Sequence, residues 1–190
     1  MSDNITLGID PGASGGIAAH FGASGYEVSP MPATEGDVVR LLRKYTAVCN
    51  GNGTTRVAYI EELVKHMGAG IPASTMAVYA SNWGFLMGAL MMDGWQVRVV
   101  RPQVWQSALG IGNTGRMRAI KMSGMPADQW QAEQARVKKA NADAKREWKR
   151  RLVQEAQRRY PACNPTLKTA DALLIMDYGV RQERGPVLTT

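Results

Sequence analysis

Apolar positions along the chain fall into short runs near its start and longer helical patterns towards its end. Ile5 to Asp10 reads as a buried strand. Residues 15–21 read as a second strand after a Gly-rich turn, and 26–31 alternate as a third, which together predict a meander. Val38, Val39, Leu41, Leu42 and Tyr45 recur at helical spacing across residues 37–45. After the turn NGNGTT, residues 56–60 predict a strand with Glu61 at its end. The loop KHMGAGIPAS leads into an apolar helix over about 75–92, with Ser74 or Thr75 as its cap and Gly84 and Gly88 spaced for close packing. Residues 95–100 predict another strand, and Arg101-Pro102 opens a short helix. Residues 110–126 are Gly-rich and irregular. A long basic helix, in one or two pieces, follows over 127–160, and an apolar helix over 169–180 closes the pattern. A meander followed by strands separated by helices predicts an α/β fold, a mixed five-stranded sheet with helices on its faces.

The 190 residues suit one domain, with residues 110–146 as a basic insertion or arm. No apolar run is long enough to span a bilayer, so no membrane association is expected. The start MSDNITLGID lacks the basic stretch of a secretory signal. The two cysteines, Cys49 and Cys163, form no C-x-x-C pair, which argues against a zinc ribbon. A reducing cytoplasm is the expected compartment.

Net charge is +7, which suits a polyanionic partner. Its distribution says more than its size. Of the 23 basic residues, 13 lie between Arg116 and Arg159, opposed by only five acids, so the rest of the chain is close to neutral. Lys138, Lys145 and Lys149 share one helical face approximately, and Lys139, Arg146 and Arg150 the adjacent one. Such a stripe contacts phosphates without reading bases, or is simply a solvated face. Trp130 and Trp148 interleave with it, to stack on bases or to anchor the helix.

Three carboxylates, far apart in sequence, are each tied to an apolar element. Asp10 ends the first strand in ITLGIDPG, Glu61 ends the strand VAYIEE, and Asp171 lies in TADALLIMDYG. Each has an ordinary explanation: Asp-Pro-Gly is common turn chemistry, a terminal Glu can face solvent, and an acid suits a helix N-terminus. Together they suggest a metal site assembled by the fold, because a buried carboxylate is costly unless paired or ligating. Oxygen ligands suit magnesium or manganese, and two such ions activate a water and stabilise the leaving oxygen in phosphodiester cleavage. His20 and His66 are too few and scattered for a zinc centre.

GIDPGASGGIA, YIEELVKHMGAG, SNWGFLMGAL, RPQVWQSALG and KTADALLIMDYG, in this order, resemble the RuvC family of Holliday-junction resolvases, its phage or prophage branch above all. The resemblance covers most of the chain and is weakest over residues 112–146. It implies an RNase H-like fold, a homodimer, two magnesium or manganese ions per site, no small-molecule cofactor, and paired symmetric nicks in four-way or branched DNA that leave ligatable ends. By motif it makes Asp10, Glu61 and Asp171 the catalytic metal ligands. It also suggests Lys65, His66, Lys121, Lys138, Lys139, Lys145 and Lys168 as DNA contacts, and the apolar helix over 75–92 as part of the dimer interface. The chain departs from the family twice. Lys168 stands one helical turn before Asp171, where a fourth acid is usual, and a charged lysine cannot ligate a metal. The loop Leu63-Val64-Lys65-His66-Met67 lacks the family's aromatic wedge, leaving Leu or Met to unstack a base step.

Two other readings stand beside the nuclease. Lys168 in place of an acid favours a non-catalytic branched-DNA binder. An actin-like or sugar-kinase-type ATPase shares an Asp-x-Gly turn, but needs a second phosphate hairpin and a longer chain.

Overall fold

Ile5, Leu7 and Ile9 are fully buried on one side of β1 (Ile5–Asp10), and burial of each contributes about 2 kcal/mol. The structure, a computed structural model, describes residues 4–48, 54–63, 72–112, 115 and 117–185. β1 is flanked by β2 (Gly16–His20), antiparallel, and by β4 (Arg56–Glu61), parallel. β3 (Tyr26–Pro30) pairs antiparallel with β2, and β5 (Gln96–Val100) pairs parallel with β4, giving the order β3-β2-β1-β4-β5. This is the expected mixed five-stranded sheet, and with helices on both faces it has the RNase H-like arrangement.

Strand alternation sends successive side chains to opposite faces. Ile5, Leu7, Ile9, Ile17, Ala19, Ala58 and Ile60 form one core with α1 (Glu35–Ala47) and α2 (Ala73–Met92). Ala18, Val57 and Tyr59 form the other with α3 (Pro102–Ala108), α4 (Ala127–Arg159) and α5 (Ala170–Glu183). α1 starts where Thr34 Oγ1 accepts the Asp37 N–H at 3.2 Å, a cap worth about 1 kcal/mol. α5 lies directly on β1. A methyl group on Gly8 would sit 2.1 Å from the backbone nitrogen of Met176, and one on Gly179 would sit 2.5 Å from the Tyr59 ring. The two glycines therefore let helix and sheet approach closely.

Two details differ from the sequence reading, and one open alternative is settled. Pro72, not Ser74 or Thr75, stands at the cap of α2, and both of those residues lie in its first turn. α4 is one helix of 33 residues, roughly 50 Å long. Its sequence holds no Gly or Pro to break it, and three close Arg–acid pairs at i,i+3 brace its exposed face. Residues 127–146 therefore continue without a break into the turns that carry Leu152 and Ala156 into the core. Finally, nothing packs within 4 Å of a methyl group placed on Gly84 or Gly88, so among the described residues their spacing serves no contact. No helix among the described residues is long and apolar enough to cross a membrane.

Candidate functional site

The register of the central strands brings the first two carboxylates together. Ile9 lies opposite Ile60 in the parallel β1–β4 pair, so Asp10 and Glu61 follow at the same level on adjacent strands. Ile9 and Ile60 belong to the α1–α2 core, so alternation turns Asp10 and Glu61 to the opposite face, towards α5. α5 begins over that strand end and places Asp171 in its first turn.

The turn after Asp10 is built around the carboxylate. Asp10 Oδ1 accepts the Gly12 N–H at 3.3 Å. A methyl group on Gly15 would lie 2.3 Å from the Asp10 carbonyl oxygen and 2.6 Å from its carboxyl carbon, so only glycine fits there. Glu61 Oε1 accepts the indole N–H of the fully buried Trp105 at 3.2 Å, and the Glu61 carbonyl accepts that of Trp83 at 3.2 Å. Asp171 Oδ2 pairs with the ammonium of Lys149, reaching across from α4. Asp171 Oδ1 is buried and has no hydrogen-bond partner among the described residues.

The electrostatics tie these groups into one site. Burial, and then the charge of Asp171, raise the Asp10 carboxyl above its ordinary range. Burial, and then Asp10 and Asp171, push Glu61 up to about 7. Burial disfavours the Lys149 ammonium, but Asp171, with Asp10 and Glu61, outweighs it and leaves the lysine above its ordinary value. Tyr79 on α2 is pushed up to about 12 by burial and then by Asp10 and Glu61, which places its phenol in the same field. A cavity of about 560 Å³ opens beside the group, lined by Glu61, Asp171, Lys149, Lys145, Asn141 and Trp148.

Among the described residues, no three histidine, cysteine or acidic side chains form a ready-made metal cage. The donors nevertheless suit a hard divalent cation. They are carboxylate oxygens, one of them buried and without a partner among the described residues, and burial followed by mutual repulsion raises two of the three carboxyls.

The basic residues divide into two sets. Lys121, Lys138, Lys139, Lys145 and Lys168 are exposed and make no ion pair among the described residues. Arg146 instead pairs with Asp143, and Arg150 approaches Glu147 at 3.9 Å. Lys168 sits in the turn before α5, its side chain in solvent. Lys65 and His66, together with Val64 and Met67, lie outside the described residues. Asp177 is held in a separate lock between α4 and α5, by Arg159 and by the Tyr160 hydroxyl at 2.8 Å.

Three residues near the carboxylates are not singled out for that role by the sequence pattern: Trp105, Tyr79 and Lys149. A buried tryptophan needs a partner for its N–H, which is the one signal the sequence offers for Trp105. Lys149 is legible as a partner of Lys145 on one helical face, but not as the partner of Asp171.

No protein-family model matches the chain, and no curated protein does. Two of the solved structures that resemble it are of RuvC. One is Thermus thermophilus RuvC, with 16% identity, 95% of each chain covered and a TM-score of 0.49. The other is T. thermophilus RuvC in complex with Holliday junction substrate, with 15% identity, 95% of each chain covered and a TM-score of 0.51. Strand order, helix placement and the likeness to the junction-bound structure together give the chain a RuvC-like fold.

Proposed function

We propose that the protein is a metal-dependent endonuclease that resolves four-way and other branched DNA. The observation that carries this reading is the meeting of Asp10 and Glu61, side by side on β1 and β4, with Asp171, whose Oδ1 is buried and without a partner among the described residues. Asp10, Glu61 and Asp171 would hold magnesium or manganese, two ions in the full reading, which supply a polarised water and charge stabilisation for phosphodiester hydrolysis. The chain's own groups hold the reactants. The Gly12 and Trp105 N–H groups fix the Asp10 and Glu61 carboxylates, leaving their other oxygens available. Lys145 at the cavity and Lys138 and Lys139 further along α4 would bind DNA phosphates and orient the strand, with Lys121 and Lys168 as outer contacts. Hydrolysis joins the water oxygen to phosphorus, breaks one P–O bond and leaves ligatable ends.

A homodimer would place two such sites on one junction. Its support is α2, which carries no charged residue and buries only Leu86 and Leu90, leaving Val78 and Met91 each 61% exposed.

The test is a synthetic four-way junction incubated with magnesium or manganese, with a linear duplex of the same sequence as control. Paired symmetric nicks in the junction are expected. Lys149 on Asp171, and Lys168 where a fourth acid is usual, favour a second reading, a branched-DNA binder without cleavage. A gel shift with no product would establish that reading instead.

A further inference from the structure

The ammonium of Lys149 is a cation already paired with one of the three carboxylates. It contacts Asp171 Oδ2 directly, and its charge acts on Asp10 and Glu61 as well. A charged lysine has no lone pair, so it cannot share a metal ion with these carboxylates, only compete with one. Asp171 has one oxygen on the lysine and one, buried, with no hydrogen-bond partner among the described residues. Full ligation by Asp171 therefore requires the ammonium to leave. The side chain has somewhere to go: it is 37% exposed and borders the 560 Å³ cavity that Lys145, one turn earlier on α4, also lines.

We propose that Lys149 is a resident counter-ion of the carboxylate site, which a divalent cation must displace from Asp171 in order to bind. The inference rests on the metal-site reading above. It assigns Lys149 a regulatory place in that site, distinct from the phosphate-binding lysines further along the helix. Displaced towards the cavity, the ammonium points where a DNA phosphate would enter, so the same side chain that holds the metal off the empty protein acquires a new partner when substrate arrives. A purely structural ion pair makes the opposite prediction for metal, because removal of Lys149 would then only loosen Asp171.

The test is calorimetric titration of the full chain with Mn²⁺, without DNA, for the wild type, Lys149→Met and Lys149→Arg. Lys149→Met keeps the aliphatic length and removes the charge. It should bind Mn²⁺ at least about tenfold more tightly than the wild type, since removing one competing charged hydrogen bond is worth at least that factor. Lys149→Arg, which keeps the charge, should stay within about threefold of wild type on the same reasoning. Thermal unfolding provides a second readout: Mn²⁺ should raise the Tm of Lys149→Met more than that of the wild type, even if the variant is less stable in EDTA. Equal or weaker Mn²⁺ binding by Lys149→Met, with wild-type binding intact, overturns the counter-ion and leaves the metal site standing. Absence of Mn²⁺ binding in both folded proteins overturns the metal site and the counter-ion with it.

Discussion

Gly8 of β1 and Met176 of α5 meet backbone to backbone. A methyl group on Gly8 would lie 2.1 Å from the Met176 nitrogen and 2.3 Å from the Ala172 carbonyl oxygen. This approach sets the height of α5 above the sheet, and so the distance of Asp171 from the strand that carries Asp10. Gly8→Ala must push the helix outward, because neither atom belongs to a side chain that could rotate aside. A loss of about 3 kcal/mol is expected, seen in thermal unfolding as a fall in Tm on the order of 10 °C. An unchanged Tm would show that α5 does not sit this close to β1.

Asp10→Asn keeps the shape of the turn, including an oxygen that can accept the Gly12 N–H, and removes the negative charge. Cleavage of a four-way junction under magnesium should fall at least about a thousandfold, in line with the loss of a charged group that acts on the reacting centre. Junction affinity in a gel shift should stay near wild type. Full nicking by this variant would sink the nuclease assignment.

The raised Glu61 carboxyl gives stability a pH dependence of definite sign. In the folded protein Glu61 titrates at about 7, against 4.5 as its ordinary value. Between these values the folded protein holds a proton that the unfolded chain has released, so raising the pH favours unfolding. In EDTA, the burial of Glu61 should cost on the order of 3 kcal/mol as pH rises from about 4.5 through 7. Asp10, shifted in the same direction, adds to the trend. Glu61→Gln should flatten the slope, measured by urea unfolding at pH 5 and pH 8. An equally steep loss in that variant would assign the effect to other groups.

Lys138, Lys139 and Lys145 are exposed on α4 and make no ion pair among the described residues. Replacing all three with alanine should weaken binding to a junction and to a linear duplex alike. The slope of log K against log salt should fall by roughly 2 to 3, about 0.9 for each DNA phosphate that a lysine no longer neutralises. Fluorescence anisotropy between 50 and 200 mM salt, on the order used to resolve such slopes, measures this. A slope that does not move would make the stripe a solvated face.

The order of strands and helices was legible in the sequence because each element carries its own period. Ile5, Leu7 and Ile9 alternate, whereas Val38, Leu42 and Tyr45 recur at helical spacing. The choice of Asp10, Glu61 and Asp171 was legible for a related reason: each interrupts or ends an apolar element, where a charge is costly without a partner. The caps were less so. Ser74 and Thr75 have the right chemistry for a helix start, yet the helix begins at Ala73 behind Pro72, and the pattern of apolar residues cannot resolve a shift of one or two positions.

Local sequence thus determined the elements, the face of each strand and the residue types able to form a site. It could not determine what stands opposite them. The pairing of Ile9 with Ile60, which sets Asp10 beside Glu61, depends on a parallel register between strands about 50 residues apart. Trp105 on Glu61 and Lys149 on Asp171 depend on how α3 and α4 pack beneath the sheet. Periodicity along a chain fixes which way a side chain points relative to its own element. Only the packing of elements against one another decides which charge it meets there, and for Asp171 that was the ammonium of Lys149.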